Sequence, residues 1–248
     1  MPARNTLTLG ADRALYVGDL PATGWHSHAA PVLLMGLSGR FALHWGLGQV
    51  QTCHSALVDA GVDHLLDPRG EQVALMYLEP DSREARGLRG VFQHHGGIVL
   101  DVAAPVRARS ATDTRLRTFD LQALLHCAGG DAAPLDPLDP RVAHSLQALR
   151  SAQGARIARD GLASEVQLSG SRFNHLFRAE MGVSLRSYRV WSQVRLALAG
   201  LAVSPRLTDA ALHGDFSDSA HFSRMFRQTF GMTPSSVLKP LKEVVLVD

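Results

Sequence analysis

The sequence predicts an α+β chain of two domains, a β-rich N-terminal half and an all-helical C-terminal half. Three observations carry this. Up to about residue 105, apolar residues come in short runs broken by Gly, Asp and Pro, whereas from Arg141 to about Leu238 they recur at helical spacing. The charge changes sign along the chain: residues 1–140 hold 11 Arg and 15 acids, net −4, and residues 141–242 hold 14 Lys and Arg and 6 acids, net +8. Between the halves lies GlyGlyAspAlaAlaProLeuAspProLeuAspPro (129–140), whose three prolines and three acids read as an extended linker. With 46% hydrophobic and 19% charged residues over 248 positions, disordered, collagen-like and coiled-coil chains are excluded. Cys53 and Cys127 are too few for a disulfide framework, which points to a reducing, cytoplasmic compartment. The N-terminus has no basic stretch followed by an apolar run, and no window approaches the roughly 20 apolar residues of a membrane span.

In the first half, Pro31–Leu37, Phe41–Trp45, Ser55–Asp59 and Val73–Leu78 are expected strands, separated by Gly-, Asp- and Pro-bearing turns. Phe41, Leu43 and Trp45 alternate with Ala42 and His44, the period of a strand with one buried face. Many short strands imply a small barrel or sandwich over about 1–105. From Thr112 to Cys127 the period changes. Leu116, Phe119, Leu121, Ala123, Leu124 and Cys127 form an apolar stripe on a helix expected at about 112–127.

The second half repeats itself at an offset of 49. Phe173, Leu176, Phe177, Arg178, Gly182 and Ser184 fall on Phe222, Met225, Phe226, Arg227, Gly231 and Thr233. Apolar residues at i, i+3 and i+4 give each copy a narrow buried stripe, expected to be core and nothing more. Each repeat helix starts at a capping residue, Ser169 in one copy and Ser217 or Asp218 in the other, and closes at its glycine. Ahead of each lies a short helix, around Ile157–Val166 and Leu207–His213. Helix, tight turn and a second helix with a polar outer face make a helix-turn-helix, present twice. The outer faces carry Arg, Asn, His and Ser, groups that reach base edges and phosphates, where an ordinary solvated face would mix Glu with Lys.

On these residues the chain resembles the AraC/XylS family of bacterial transcription regulators. LeuThrAspAlaAlaLeuHisGlyAspPheSerAspSerAlaHisPheSerArgMetPheArgGlnThrPheGlyMetThrPro (207–234) is similar to the family's C-terminal signature, and residues 162–184 to its first helix-turn-helix. Tyr188, Arg195, Leu196 and Ala199 match the long connecting helix. Two positions depart: Asp215 replaces the usual turn glycine, and Val237-Leu238 replace Tyr-Arg. The resemblance implies two recognition helices in successive major-groove turns of double-stranded DNA, about 34 Å apart. Carried over, Ser171, Asn174, His175, Ser219, His221 and Arg224 are the base-contact candidates, and Arg172, Arg178 and Arg227 the phosphate anchors.

Residues 24–64 resemble a degenerate cupin, the family's sensor fold. Gly24-Trp25-His26-Ser27-His28 is similar to the first cupin motif and AspAlaGlyValAspHis (59–64) to the second, without the usual glutamate, since Val32 and Leu33 occupy that stretch. Trp25, His26, His28 and His64 are the effector-pocket candidates. The three histidines have three readings: barrel remnants bonded to backbone, the lining of a pocket for a polar or anionic effector, or ligands for Zn, Ni or Fe. A three-His iron enzyme is the rival class, opposed by the tandem DNA-reading module. Cys53 reads as a small buried side chain, and the adjacent pairs His94-His95 and Cys53-His54 as diverging on strands. The expected organisation is a cupin-like sensor and dimerisation domain (1–128), a linker (129–140) and an AraC-type double helix-turn-helix (141–241). Such a regulator is not an enzyme. Its expected partners are DNA, a small-molecule or metal effector, a second copy packed through the 112–127 helix, and RNA polymerase if it activates.

Overall fold

The computed structural model describes residues 5–102, 137–152 and 157–247. The helix expected at 112–127, Cys127 and most of the 129–140 linker lie outside them. The described residues form two compact units, residues 5–102 with 223–247, and residues 137–222. Packing therefore divides the chain differently from the sequence: the end of the expected 141–241 module packs with the N-terminal half.

The N-terminal unit is built from β1 (Thr6–Leu9), β2 (Arg13–Gly18), β3 (Val32–Gly36), β4 (Phe41–Trp45), β5 (Gln49–Cys53), β6 (Ser55–Val58), β7 (His64–Asp67), β8 (Val73–Leu78), β9 (Ile98–Leu100) and β10 (Glu243–Leu246). They make a seven-stranded sheet, ordered β10-β1-β2-β8-β3-β6-β9, and a three-stranded sheet, β5-β4-β7. The cupin-like barrel is thus an open pair of sheets. All four expected strands are present, and β4 pairs with β5 through the GlyLeuGly turn, Phe41 facing Cys53 and Trp45 facing Gln49. Every pairing is antiparallel except β1 with β10, which is parallel.

One face of the large sheet presents Leu15, Val17, Leu33, Met35, Leu57, Ala74, Met76 and Leu78, alternate residues of four strands, against Ala85, Leu88, Val91 and Phe92. Those last four sit on and between two helices, α1 (Arg83–Gly87) and α2 (Arg89–His95), which the sequence reading of this half as purely β omits. The Ser82 hydroxyl caps α1 by accepting from the Ala85 N–H at 3.1 Å, and Gly96 closes α2 in a left-handed conformation. His94 and His95 therefore end a helix rather than diverge on a strand. Cys53 is buried, which raises its thiol pKa to about 12 and fits a small core side chain.

The helical elements are α3 (Pro140–Ser151), α4 (Arg159–Glu165), α5 (Gly170–Met181), α6 (Leu185–Gly200), α7 (Leu207–His213), α8 (Ser219–Phe230) and α9 (Pro234–Leu238). Helix α3 begins on the linker's last residue: the Asp139 carboxylate accepts from the Arg141 N–H at 2.9 Å, and Pro140 takes the first helical position, where a missing N–H costs nothing. The boundary between the two units falls inside α8. No described helix is long and apolar enough to cross a membrane.

Candidate functional site

The duplication is visible in the backbone. In the first copy, the chain leaves α4 through Gln167 at φ +57°; the Gln167 N–H donates to the Ser164 carbonyl and the Leu168 N–H to the Ala163 carbonyl. In the second, it leaves α7 through Asp215 at φ +56°, with Asp215 donating to Leu212 and Phe216 to Ala211. Both turns are the same left-handed helix-ending motif, each followed by an apolar residue. Asp215 thus does the work of the family's turn glycine, as its tolerance of the left-handed region permits. Gln167 does the same in the first copy, where sequence gave no sign of it.

The turns are 48 residues apart and the helices that follow 49, so the second copy holds one extra residue. It changes the cap. The Ser169 hydroxyl accepts from the Arg172 N–H at 3.3 Å at the start of α5, whereas at the start of α8 the Asp218 carboxylate accepts from the His221 N–H at 2.6 Å. This settles the second cap on Asp218 rather than Ser217. Gly182 (φ +73°) and Gly231 (φ +69°) end the two helices, as expected.

Phe173, Phe177, Phe222 and Phe226 are buried, while Leu176 and Met225, also expected as core, are only half-buried. Tyr188 of α6 stacks edge-on against Phe177 at 5.7 Å, which ties the connecting helix to the first repeat. On the outer faces, Ser171, Arg172, His175 and Arg178 of α5, and Arg224 and Arg227 of α8, are exposed; Asn174, Ser219 and His221 are half-buried. The His221 ring is already engaged, edge-on to Phe216 at 5.3 Å with Nδ1 3.2 Å from the Ser217 hydroxyl.

The second candidate site lies in the N-terminal unit. His26 and His28 sit on an irregular segment rather than the strand their spacing suggested. A bridge pairs His26 with His64 at the start of β7, the two backbones exchanging N–H···O bonds of 3.0 Å each. Their rings meet at 4.3 Å between centroids, and His28 lies 5.2 Å from His64. All three are buried, at 6%, 5% and 2% exposure. Trp25 does not join them; its side chain is 53% exposed.

Each ring donates from Nδ1 to a backbone carbonyl, His26 to Gly24 (3.0 Å), His28 to Ala30 (2.5 Å) and His64 to Val62 (2.9 Å). A carbonyl only accepts, so Nδ1 carries the proton and Nε2 is the lone-pair nitrogen in all three. The Nε2 of His28 is buried without a hydrogen-bond partner. Burial, reinforced by the neighbouring ring of His64, lowers the His26 pKa to about 4; burial likewise lowers His28 and His64. The triad is therefore neutral near pH 7. The ligand atoms of the three lie within 4.8 Å of one another; among the described residues no carboxylate joins the cluster, and Val32 and Leu33, in the place of the usual cupin glutamate, are buried in β3.

Tyr77 is the neighbour that sequence reading missed. It sits on the face of β8 opposite the Met76 core and meets His28 edge-on at 5.0 Å. Only its alternation with Met76 and Leu78 hinted at that orientation.

Comparison with known proteins bears on the helical module first. Residues 162–240 match a family model described as a helix-turn-helix domain. The arabinose operon regulatory protein of Escherichia coli K12 is 36% identical over 87 residues, covering 34% of this chain and 29% of that protein. Its Salmonella typhimurium counterpart is 38% identical over 77 residues, 30% and 27% of the two chains. The chain thus spans less than a third of the length of these relatives in the matched region. In fold, ToxT from Vibrio cholerae O395 covers 93% of this chain and 97% of its own at a TM-score of 0.58 and 12% identity. A ToxT structure from strain SCE256, solved with an unsaturated fatty acid bound, covers 98% of both at 0.58 and 13%. At such identities the likeness is one of fold, a β-rich N-terminal half followed by helices. Residues 162–240 thus carry a helix-turn-helix domain, and the chain is similar in sequence to the arabinose operon regulators and in fold to ToxT.

Proposed function

We propose that the chain is a sequence-specific DNA-binding transcription regulator controlled by a ligand of its N-terminal unit. The observation that carries this reading is the duplicated helix-turn-helix, in which two capped helices of equal length present Arg, Asn, His and Ser outward from buried Phe stripes. Ser171, Asn174 and His175, with Ser219, His221 and Arg224, read base edges; Arg172, Arg178 and Arg227 hold phosphates. Arg can pair two-pronged with guanine and Asn with adenine, each worth roughly 1–3 kcal/mol of discrimination. Because Arg224 is exposed, Arg224→Ala is expected to weaken binding to a duplex selected by the wild-type chain by about 10-fold or more, with the melting temperature unchanged. An identical footprint and affinity in the variant would refute the assignment. The relatives support regulation, and the fatty acid held by ToxT supports a small organic acid as one class of effector. The chain would act as a homodimer and, as an activator, touch RNA polymerase.

A second reading has its own observation, the three Nδ1-anchored histidines. Neutral imidazoles whose other ring nitrogen is fixed on a carbonyl are the usual donors to transition metals. A four-coordinate Zn with bonds of about 2.0–2.1 Å needs nitrogens about 3.3 Å apart, against ligand atoms that here lie within 4.8 Å of one another. His26, His28 and His64 would hold Zn, Ni or Fe and leave a fourth position open. Elemental analysis of the full chain, purified without chelators, is expected to find about one equivalent of metal, lost in His64→Ala. A metal-free wild type would exclude this reading and leave the N-terminal unit to an organic effector.

A further inference from the structure

In all three rings of the triad the Nδ1 proton is already committed, to the carbonyls of Gly24, Ala30 and Val62. The Gly24 peptide is fixed in turn, its N–H donating to the Gly231 carbonyl at 2.7 Å. What each ring still offers is Nε2, a lone pair that accepts and cannot donate. An anion therefore finds no donor among the three, and protonating a ring to supply one is opposed by the burial that lowers all three pKa values. The fitting ligand is an electron-pair acceptor, a metal ion. His28 needs one most, since its Nε2 is buried without a hydrogen-bond partner in a residue of 5% exposure.

The identity of the ion follows from charge and from the number of donors. Among the described residues no carboxylate or thiolate joins the three rings. Asp63, next to His64 in the chain, is exposed and acts on His26 and His64 only through space. The surroundings are aromatic: Tyr77 meets the His28 ring at 5.0 Å, and Phe230 backs Tyr77 at 5.6 Å. A divalent ion held by three neutral imidazoles keeps its full double charge in this buried place. The cost of burying charge grows with its square, about four times as much for a divalent as for a monovalent ion. Zn also completes a tetrahedron with a fourth ligand, whereas cuprous copper, monovalent and d10 like Zn, is satisfied by three nitrogens in a plane. With bonds of about 2.0 Å such a trigonal set has nitrogens about 3.5 Å apart, against ligand atoms within 4.8 Å here. We propose that His26, His28 and His64 form a copper(I) site, a trigonal set of three Nε2 atoms that takes the cuprous ion in preference to Zn, Ni or Fe. The copper site rests on the reading of the triad as a metal centre and goes on to name its ion.

The test uses the full chain carrying Cys127→Ser, which leaves buried Cys53 as the only thiol. Stripped of metal and kept anaerobic, it is titrated with Cu(I) against bicinchoninate and with Zn(II) against a chromophoric zinc chelator. About one equivalent of Cu(I) is expected, held about 1,000-fold or more tightly than Zn(II), with the X-ray absorption spectrum of a three-coordinate ion bound by nitrogen alone. His28→Asn should weaken Cu(I) binding by about 100-fold or more, its melting curve showing that the fold persists. A second variant tests the part played by charge without removing a ligand. Val32 is paired with Tyr77 across β3 and β8 and so shares its face of the sheet. Val32→Glu restores the missing carboxylate on that face and should cut the preference for Cu(I) over Zn(II) by about 10-fold or more. Zn(II) bound as tightly as Cu(I) in the chain without that change would overturn the copper site and leave the triad a centre for divalent metal. Neither ion on the rings, whether unbound or held through sulfur, would overturn the metal reading and the copper site together.

Discussion

Phe173→Ala is expected to lower the unfolding free energy of the helical unit by about 3–5 kcal/mol and to abolish duplex binding with it. Phe173 is fully buried at the start of the apolar stripe of α5, its ring 6.0 Å from Phe177, which stacks in turn on Tyr188. Truncation removes the ring's transfer free energy and leaves a cavity beside Phe177 in the core of the repeat. Chemical denaturation of the full chain checks the magnitude. A loss below about 1 kcal/mol would mean that the stripe is not the core of the repeat. The contrast with Arg224→Ala is the useful part: one change removes binding through stability, the other through contact, and only a joint measurement of melting and affinity separates them.

The second large effect is acid sensitivity of the N-terminal unit. The His26 pKa falls from 6.5 in the unfolded chain to about 4 in the fold because burial penalises the imidazolium. The neutral form is therefore the folded form, and the unfolded state binds more protons between those values. Its contribution to stability is present above pH 6.5 and is lost as the pH falls toward 4. For His26 alone the loss between pH 7 and 4.5 is about 2–3 kcal/mol in the metal-free chain, and the lowered values of His28 and His64 act in the same direction. Unfolding free energies of wild type and His26→Phe, measured from pH 7 to 4.5, should diverge by that amount, the variant having the flatter profile. Parallel profiles would show that His26 is not held neutral by burial.

Legibility followed the range of the interaction. The repeat, its glycine stops, the Phe stripes and helix α7 were readable because each is fixed within a few residues by periodicity and capping. Strands β3, β4, β6 and β8 were readable for the same reason. Helices α1 and α2 were passed over although Ala85, Leu88, Val91 and Phe92 have helical spacing; Gly87 and Gly90 interrupt the pattern. Strands β1, β2, β5, β7, β9 and β10 were also missed. Thr6–Leu9 and Glu243–Leu246 are unremarkable alone and become strands by pairing across more than 230 positions, which no local pattern reports. At the candidate sites, the three histidines were chosen from a motif and are brought together, but by a single backbone bridge rather than by strand alternation. The partner ring of Tyr77 and the approach of Gly231 to Gly24 are products of packing. Gln167 shows the opposite failure, since a left-handed turn residue without glycine, asparagine or aspartate leaves no trace in composition.

The extra residue in the second turn has an electrostatic result. At the mouth of α5 the capping group is a hydroxyl, and at the mouth of α8 it is a carboxylate. Both satisfy the same orphan backbone donor, yet the carboxylate also neutralises part of the positive end of its helix, the end that would otherwise attract a phosphate. Under the DNA-reading role proposed above, the two copies, alike in shape, would present different faces to the sugar–phosphate chain: the α5 end would attract the duplex more strongly than the carboxylate-capped α8 end, which weights counterion release toward the first half-site.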